Sequence, residues 1–440
     1  MNRFKVLLGL FLVFALVAAA CGSDAEDTTT TQATTQAPTT TEAPTTTAAP
    51  TTTAAPTTTE ALPPLLIWSD EGRSGILQDI VPDFTAATGV DVVIEIVDFG
   101  EIRSQVQVAG PAGEGPDIFV GAHDWTGELA ANGVLEPIDM GGRESEFFQV
   151  AIDAFSFGGN LYAVPYATEA VALYYNKDLV GDTVPTSFDE AFALCDTLTG
   201  IDNCIGVPGA ADSTDAYHNY PFVSLKGGFI FAYDPTTGYD VRSVGLDTDA
   251  AIAGLELLSQ ATTDGYIASV NYDTAKNLFK GGLQPFWLTG PWELGFLNDP
   301  ESGLAFEWGV TKLFTDDGDV PSPFVGSQGF FLSRFSESKV LAQTFLFDFV
   351  ATVDTMKAIY DAEARNPAHI ATFDLIKDDP VAATFALSAA DGVPMPNVPE
   401  MGSVWGPLGD NIAALRNGDI DATTAATQAA TAVREAIEGS

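Results

Sequence analysis

The sequence predicts an α/β protein with two lobes, held away from its anchor by an extended stalk. Three observations predict this. Strand and helix signals alternate from Leu65 to Gly133. They alternate again from Phe188 through Leu258. Before them, residues 22–62 are almost wholly Thr, Ala and Pro, which cannot bury apolar surface. A chain of 440 residues, 46% hydrophobic, is ample for a large core and long for one ordinary domain.

The elements follow in order. Leu65–Trp68 is an apolar strand, and Ser69–Arg73 reads as the loop after it. Ile76 to Thr88 has an amphipathic helical pattern that stops at Gly89. Asp91 to Val97 is a second strand, and Glu101 to Ala109 a second helix. Gly113, Gly115 and Pro116 break that helix. Asp117–Val120 is a third strand, apolar enough to be buried on both faces. This β-α-β-α-β run opens a parallel doubly wound sheet. Its polar loops, Asp70–Arg73 and Ala122–Trp125, therefore fall on one sheet edge, where such folds bind ligands. Asp124 and Trp125 offer a carboxylate for hydroxyls and a flat face for a sugar ring; an Asx turn beside a core Trp is the alternative. Leu161–Pro165 and Ala172–Asn176 are further strands. Helices at 275–279 and after Glu293 continue the second lobe.

The amino terminus reads as an export signal. Arg3 and Lys5 precede an apolar run, Val6–Val17, and then Ala18-Ala19-Ala20-Cys21. Small residues before a Cys resemble a bacterial lipobox, with Ala18 where Leu is usual. Cleavage there makes Cys21 a lipidated amino terminus; an ordinary signal cleaved near Ala20 is the alternative. Pro-Thr-Thr-Thr recurs at Pro38, Pro44, Pro50 and Pro56. At ~3.1 Å per residue this stalk spans up to about 130 Å. Cys195 and Cys204, an even pair at short spacing in an exported chain, read as one disulfide.

Composition excludes other classes. Sixty acidic residues stand against 18 basic ones, a formal charge of −42, which argues against nucleic-acid binding. No Asp-x-Asp-x-Asp-Gly loop is present, and the three His residues are not spaced with a Cys for zinc. No metal or other cofactor is expected. Gly-x-Ser-x-Gly, His-Glu-x-x-His and P-loop motifs are absent from the sequence.

Six motifs occur in a telling order: Glu114-Gly115-Pro116-Asp117-Ile118, Ala122-His123-Asp124, Val164 to Ala170, Tyr175 to Leu179, Thr289-Gly290-Pro291-Trp292, and Met395 to Met401 with Trp405. On these, Leu65–Ile437 resembles the extracellular sugar-binding proteins of ABC importers, of the maltose- and maltodextrin-binding type. The resemblance implies a two-lobed periplasmic-binding-protein fold with three interlobe crossings and a ligand cleft between the lobes. It divides the chain into a signal (1–20), a lipidated Cys with linker (21–62), an N-lobe (63–168 and 330–373) and a C-lobe (169–329 and 374–440). The crossings fall near 167–170, 325–329 and 373–380, with Gly326 and Gly329 freeing the backbone of the second to rotate.

The resemblance also implies a ligand set. Asp70 and Arg73 meet sugar hydroxyls from the first loop. Ala122 and Asp124 match a hydroxyl-binding pair, and Glu169 an acid near the first crossing. Asp215 and Tyr217 match an acid and a stacking aromatic. Trp292 and Trp405 match two tryptophans that stack on successive rings. His123 is expected to pack or hydrogen-bond and not to touch ligand. The chain departs from the pattern at Gly121, where the family has Trp, and at Trp125, where it has Arg. Gly406 replaces a Tyr and Gly409 an Arg. The implied function is a monomeric, lipid-anchored, non-enzymatic receptor passing an oligosaccharide to importer permease subunits. Two rivals remain: a secreted carbohydrate-active enzyme using paired carboxylates, and a receptor for another solute such as a polyol or an anion.

Overall fold

The computed structural model describes residues 62–210, 213–234 and 238–439. Cys21, the signal and nearly all of the stalk lie outside the described residues. The opening run folds as β1 (Leu65–Ser69), helix α1 (Glu71–Thr88), β2 (Val92–Ile96), helix α2 (Phe99–Ala112) and β3 (Ile118–Ala122). Both β2 and β3 pair with β1 in parallel. Gly89 and Gly113 end the two helices at φ 74° and 75°, a conformation that glycine alone adopts without Cβ strain.

One boundary differs from expectation. The segment Ser69–Arg73 is not a loop, because α1 begins at Glu71 with Asp70 as its N-cap. The Asp70 carboxylate accepts the Arg73 N–H at 3.3 Å. Capping a free helical N–H stabilises a helix by about 1 kcal/mol, which offsets part of the low helix propensity of Gly72 and Gly75.

Next come β4 (Ala163–Glu169) and β5 (Ala172–Asn176), which belong to different sheets. β5 joins β6 (Ile205–Gly206), β7 (Phe286–Thr289) and β8 (Trp308–Thr311) in a four-stranded sheet of order β8-β5-β7-β6. Helix α3 (Ala216–Ser224) packs within this half. The chain then returns to the first sheet through β9 (Phe324–Leu332), helix α4 (Val353–Glu363) and β10 (Asn366–Pro367). The larger sheet has seven strands, ordered β10-β4-β9-β3-β1-β2, with β11 (Val393–Pro394) pairing to β9. Helices α5 (Trp405–Arg416) and α6 (Ala422–Gly439) end the chain against the smaller half.

The apolar core divides along the same line. One cluster surrounds the larger sheet and draws on Leu65–Ala167 and Phe330–Ala368. Two others, built around Val171–Phe324 with Phe385 and Met395–Val433, surround the smaller sheet.

β9 corrects the expected role of its glycines. It is one continuous strand, antiparallel to β3 and β4, with Gly326 opposite Glu169 and Gly329 opposite Pro165. The expected lobe boundary at 329/330 therefore falls inside it. A Cβ on Gly329 would stand 2.6 Å from the Phe155 ring. The glycine permits close packing there and does not loosen the backbone.

Cys195 ends the helix Phe188–Cys195 and is disulfide-bonded to Cys204, just before β6, with Cα atoms 5.6 Å apart.

Candidate functional site

The ends of β1 and β3 bring Asp70, Arg73, Ala122 and Asp124 to one sheet edge. Their side chains do not all face solvent. Arg73 is 1% exposed. Its guanidinium donates to the Asp70 carboxylate and the Tyr166 hydroxyl, and lies 3.3 Å from Glu363. It also stands over the Phe99 and Tyr166 rings. The expected hydroxyl donor is thus already engaged by protein partners through Nε and Nη1.

Glu169 shares this condition. Gln328 donates to one carboxylate oxygen at 2.8 Å, and Arg365 donates to the other. Arg365 also pairs with Glu363 at 2.6 Å. Burial opposes its charge, but Glu169 and Glu363 hold the guanidinium more firmly protonated than usual. One buried network therefore joins Asp70, Arg73, Tyr166, Glu169, Gln328, Glu363 and Arg365. It ties the end of β4, the middle of β9 and the start of β10, the strands next to the passages between sheets.

Trp125 is a core residue, 6% exposed, with its ring 5.0 Å from Phe99. A Cβ on Gly121 would stand 2.6 Å from that ring. The two departures from the family pattern therefore compensate: the Trp125 indole occupies the space that a side chain at 121 would need. Of the two readings of this Trp, core packing is the one observed. Ala122 is buried at the end of β3.

His123 is 1% exposed and makes two hydrogen bonds. The Ser327 N–H donates to Nδ1 at 3.0 Å, so Nε2 carries the proton and donates to the Met395 carbonyl at 3.0 Å. Burial pushes its pKa down. Asn397 reaches the larger-sheet side through its amide, donating to the Ala154 and Ser156 carbonyls at 3.0 and 2.9 Å. The Met395–Met401 motif is thus a strap docked on both halves.

The remaining expected residues converge. Trp405, at the start of α5, donates from Nε1 to Asp124 at 3.2 Å, a direct bond between the two halves. Burial raises the Asp124 pKa, opposed by His123 and Arg103. Trp405 lies 5.7 Å from Phe324, Phe324 6.1 Å from Tyr217, and Tyr217 6.1 Å from Trp292 between ring centroids. The Arg365 guanidinium stands 5.7 Å from the Trp292 ring. The Trp292 Nε1 donates to the Tyr272 hydroxyl at 2.7 Å, and that hydroxyl donates to Glu293 at 2.5 Å. Trp292, Trp405 and Tyr217 are half-buried, as ring platforms at an accessible site must be.

Asp215 is the N-cap of α3 and not a surface turn. Its Oδ2 lies 2.6 Å from His218 Nδ1. Burial works against its charge, yet His218 and the hydrogen bonds hold its pKa below the usual value. Behind it, Arg416 donates to the Pro208 carbonyl at 2.8 Å and to Asn219 at 3.1 Å. Asn219 in turn donates to the Asp215 carbonyl at 2.7 Å.

Sequence reasoning missed Arg365, His218 and Phe324. The first two had a signal: cations are scarce here, 18 in 440 residues, and histidines number three. Phe324 had none. A cavity of about 1030 Å³ borders this cluster at Phe324, Tyr220 and His123. None of the expected ligand residues lines it. Its Asn397 amide is already engaged by backbone carbonyls. Among the described residues, no group of three or more His, Cys, Asp and Glu side chains could hold a metal ion, and no helix is long and apolar enough to cross a membrane.

Comparison with known proteins agrees with this architecture. The chain is 29% identical over 338 residues to a maltotriose-binding protein of Pyrococcus abyssi, covering 75% of this chain and 72% of that one. It is 26% identical over 384 residues to a galactooligosaccharide-binding protein of Bacillus subtilis, covering 85% and 89%. It is 24% identical over 385 residues to a maltooligosaccharide ABC transporter solute-binding lipoprotein of Streptococcus pneumoniae, again covering 85% and 89%. Residues 79–389 match the bacterial extracellular solute-binding protein family. With two α/β halves around separate cores, the chain has the two-lobed periplasmic-binding fold and belongs to that family.

Proposed function

We propose that this chain is the substrate-binding lipoprotein of an ABC importer. It captures a maltodextrin-like oligosaccharide by hinge closure and delivers it to the membrane permease. The observation that carries this reading is the set of half-buried rings Trp405, Tyr217 and Trp292, bridged by the buried Phe324 and closed at one end by the Asp124 carboxylate. Aromatic faces cover the C–H faces of sugar rings, and a carboxylate accepts hydroxyl hydrogens. Names of the relatives, which specify maltotriose, galactooligosaccharide and maltooligosaccharide, support the ligand class.

In this reading the ligand set narrows to Asp124, Tyr217, Trp292 and Trp405. Asp70, Arg73, Glu169 and Asp215 frame it, because their charged groups already have partners. The chain passes between sheets at 169–172 and 311–324, and after β10 it leaves for the helices packed on the smaller half, in our reading a three-crossing hinge. The N-lobe is 63–168 with a return segment that includes all of β9, and the C-lobe is the remainder. A ligand touching both lobes has differential affinity for the closed form and shifts the population toward it. Cys21 anchors the monomer by lipid to the outer face of the cytoplasmic membrane. The enzymatic alternative needs two free carboxylates flanking a bond. Here Glu169 and Asp215 are held by Arg365 and His218.

Calorimetry and a hydrolysis assay, both with saturating maltotriose, test the reading together. Tight binding without turnover supports the receptor, and turnover supports the enzyme. Small-angle scattering adds the motion: the radius of gyration should contract with sugar. An unchanged radius at proven saturation would mean a rigid pocket.

A further inference from the structure

We infer that His218 is a ligand-contact residue, whose Nε2 accepts a hydroxyl hydrogen from the bound sugar. This rests on the receptor reading above and adds a residue that the motifs did not point to. The geometry begins with Asp215. Its Oδ1 accepts the His218 backbone N–H at 2.9 Å, and its Oδ2 lies 2.6 Å from Nδ1. An ionised carboxylate only accepts, so Nδ1 is the protonated nitrogen. In the neutral ring Nε2 is then an acceptor with a free lone pair.

That acceptor is buried, and it has no hydrogen-bond partner among the described residues. His218 as a whole is 6% exposed. Leaving a buried polar atom unmatched is unfavourable and uncommon. The imidazole stands among three rings, at 5.4 Å from Tyr217, 5.7 Å from Trp292 and 5.6 Å from Tyr272. The Tyr217 hydroxyl is in the same condition, buried and unmatched. Two unmatched polar atoms therefore lie on consecutive residues in the first turn of α3, beside the half-buried Trp292.

This combination selects a chemical class. Nε2 requires a donor, and the Tyr217 hydroxyl can donate or accept. A sugar hydroxyl does both, so adjacent hydroxyls of a neutral pyranose satisfy the pair. A carboxylate or phosphate only accepts and would meet the Nε2 lone pair, so the arrangement discriminates against anionic solutes. The Asp215 bond fixes the tautomer on which this depends, and Arg416 with Asn219 holds the Asp215 backbone in place.

The test uses the full-length chain and maltotriose, with a galactotriose arm. Calorimetry compares wild type, His218→Phe and His218→Gln, with thermal unfolding as the folding control. Nitrogen-15 NMR of the imidazole follows wild type alone. Loss of one hydrogen bond predicts about tenfold weaker binding for His218→Phe. His218→Gln, whose amide oxygen reaches toward the Nε2 position, should lie nearer wild type. On saturation the Nε2 resonance should move as it gains a hydrogen bond, while Nδ1 stays still. A folded His218→Phe with unchanged affinity overturns the inference. So does an unmoved Nε2 resonance under saturation, which holds even if both variants fail to fold and would assign that atom to water. Failure of wild type to bind either sugar brings down the receptor reading and this inference together. Binding with a silent Nε2 brings down this inference alone.

Discussion

The two sides of the proposed site are built from opposite chemistry. On the larger-sheet side, the acids Asp70, Glu169 and Glu363 are paired with the cations Arg73 and Arg365 in one network. On the smaller-sheet side, Tyr217, His218 and Trp292 present rings and two unmatched polar atoms. Charges that satisfy each other have little left for a ligand, and they become frame. Rings that stay half-exposed keep a face for one. The contrast fits the proposed neutral ligand in a chain of net charge −42: acids near the proposed site are paired with some of its few cations.

Substitutions on either side test this contrast. Removing Arg365 should cost most. Arg365→Met leaves Glu169 buried without its cation and Glu363 with Arg73 alone, and breaking such a pair typically costs about 3–5 kcal/mol. Denaturant unfolding should show that loss, and adding Glu169→Gln should recover part of it. A change under about 1 kcal/mol would mean that the network is solvated and not a frame.

The disulfide comes next. It closes a loop of sequence separation 9 in the smaller half. Cys195→Ser with Cys204→Ser should lower stability by about 2–3 kcal/mol. Sugar affinity should be unchanged, and a parallel loss of affinity would show that the two properties are not separable there.

Trp292→Ala and Trp405→Ala should each weaken maltotriose binding by about 2 kcal/mol, with the fold intact. Unchanged affinity in both would remove the rings from the site. Unfolding of both would make them core residues.

The smallest effect concerns pH. His123 is held neutral by burial and by the Ser327 N–H aimed at Nδ1. Its folded pKa is depressed, so the unfolded chain takes the proton first as pH falls. Its contribution to stability is complete above the ordinary histidine value of about 6.5 and is lost as pH drops toward the folded pKa. His123→Gln should flatten the stability profile between pH 7 and 5. An unaltered slope would contradict the strap geometry at Met395.

Much of the frame was legible in the sequence, because local pattern decides it. The runs Leu65–Trp68 and Asp117–Val120, with stops at Gly89 and Gly113, specified the first sheet to within a few residues. The start of α1 was not legible: Asp-Glu-Gly-Arg-Ser-Gly looks like a loop until Asp70 is known to cap it. The site was legible only in part. Motifs pointed to the tryptophans and Tyr217, which the fold brings together. They also pointed to Arg73 and Glu169, whose partners at 166, 328, 363 and 365 lie 93 to 290 residues away. No local signal reports such long-range saturation. The Gly121–Trp125 exchange was visible as two departures, but only packing shows that they are one compensated change.

The division between frame and contact is tested most directly by titrating maltotriose, in one calorimetric experiment, into Glu169→Gln and Trp292→Ala. The account predicts that Glu169→Gln stays within a few-fold of wild type while Trp292→Ala loses about thirtyfold. Affinity lost on Glu169→Gln and kept on Trp292→Ala would contradict it and return the acid to the ligand.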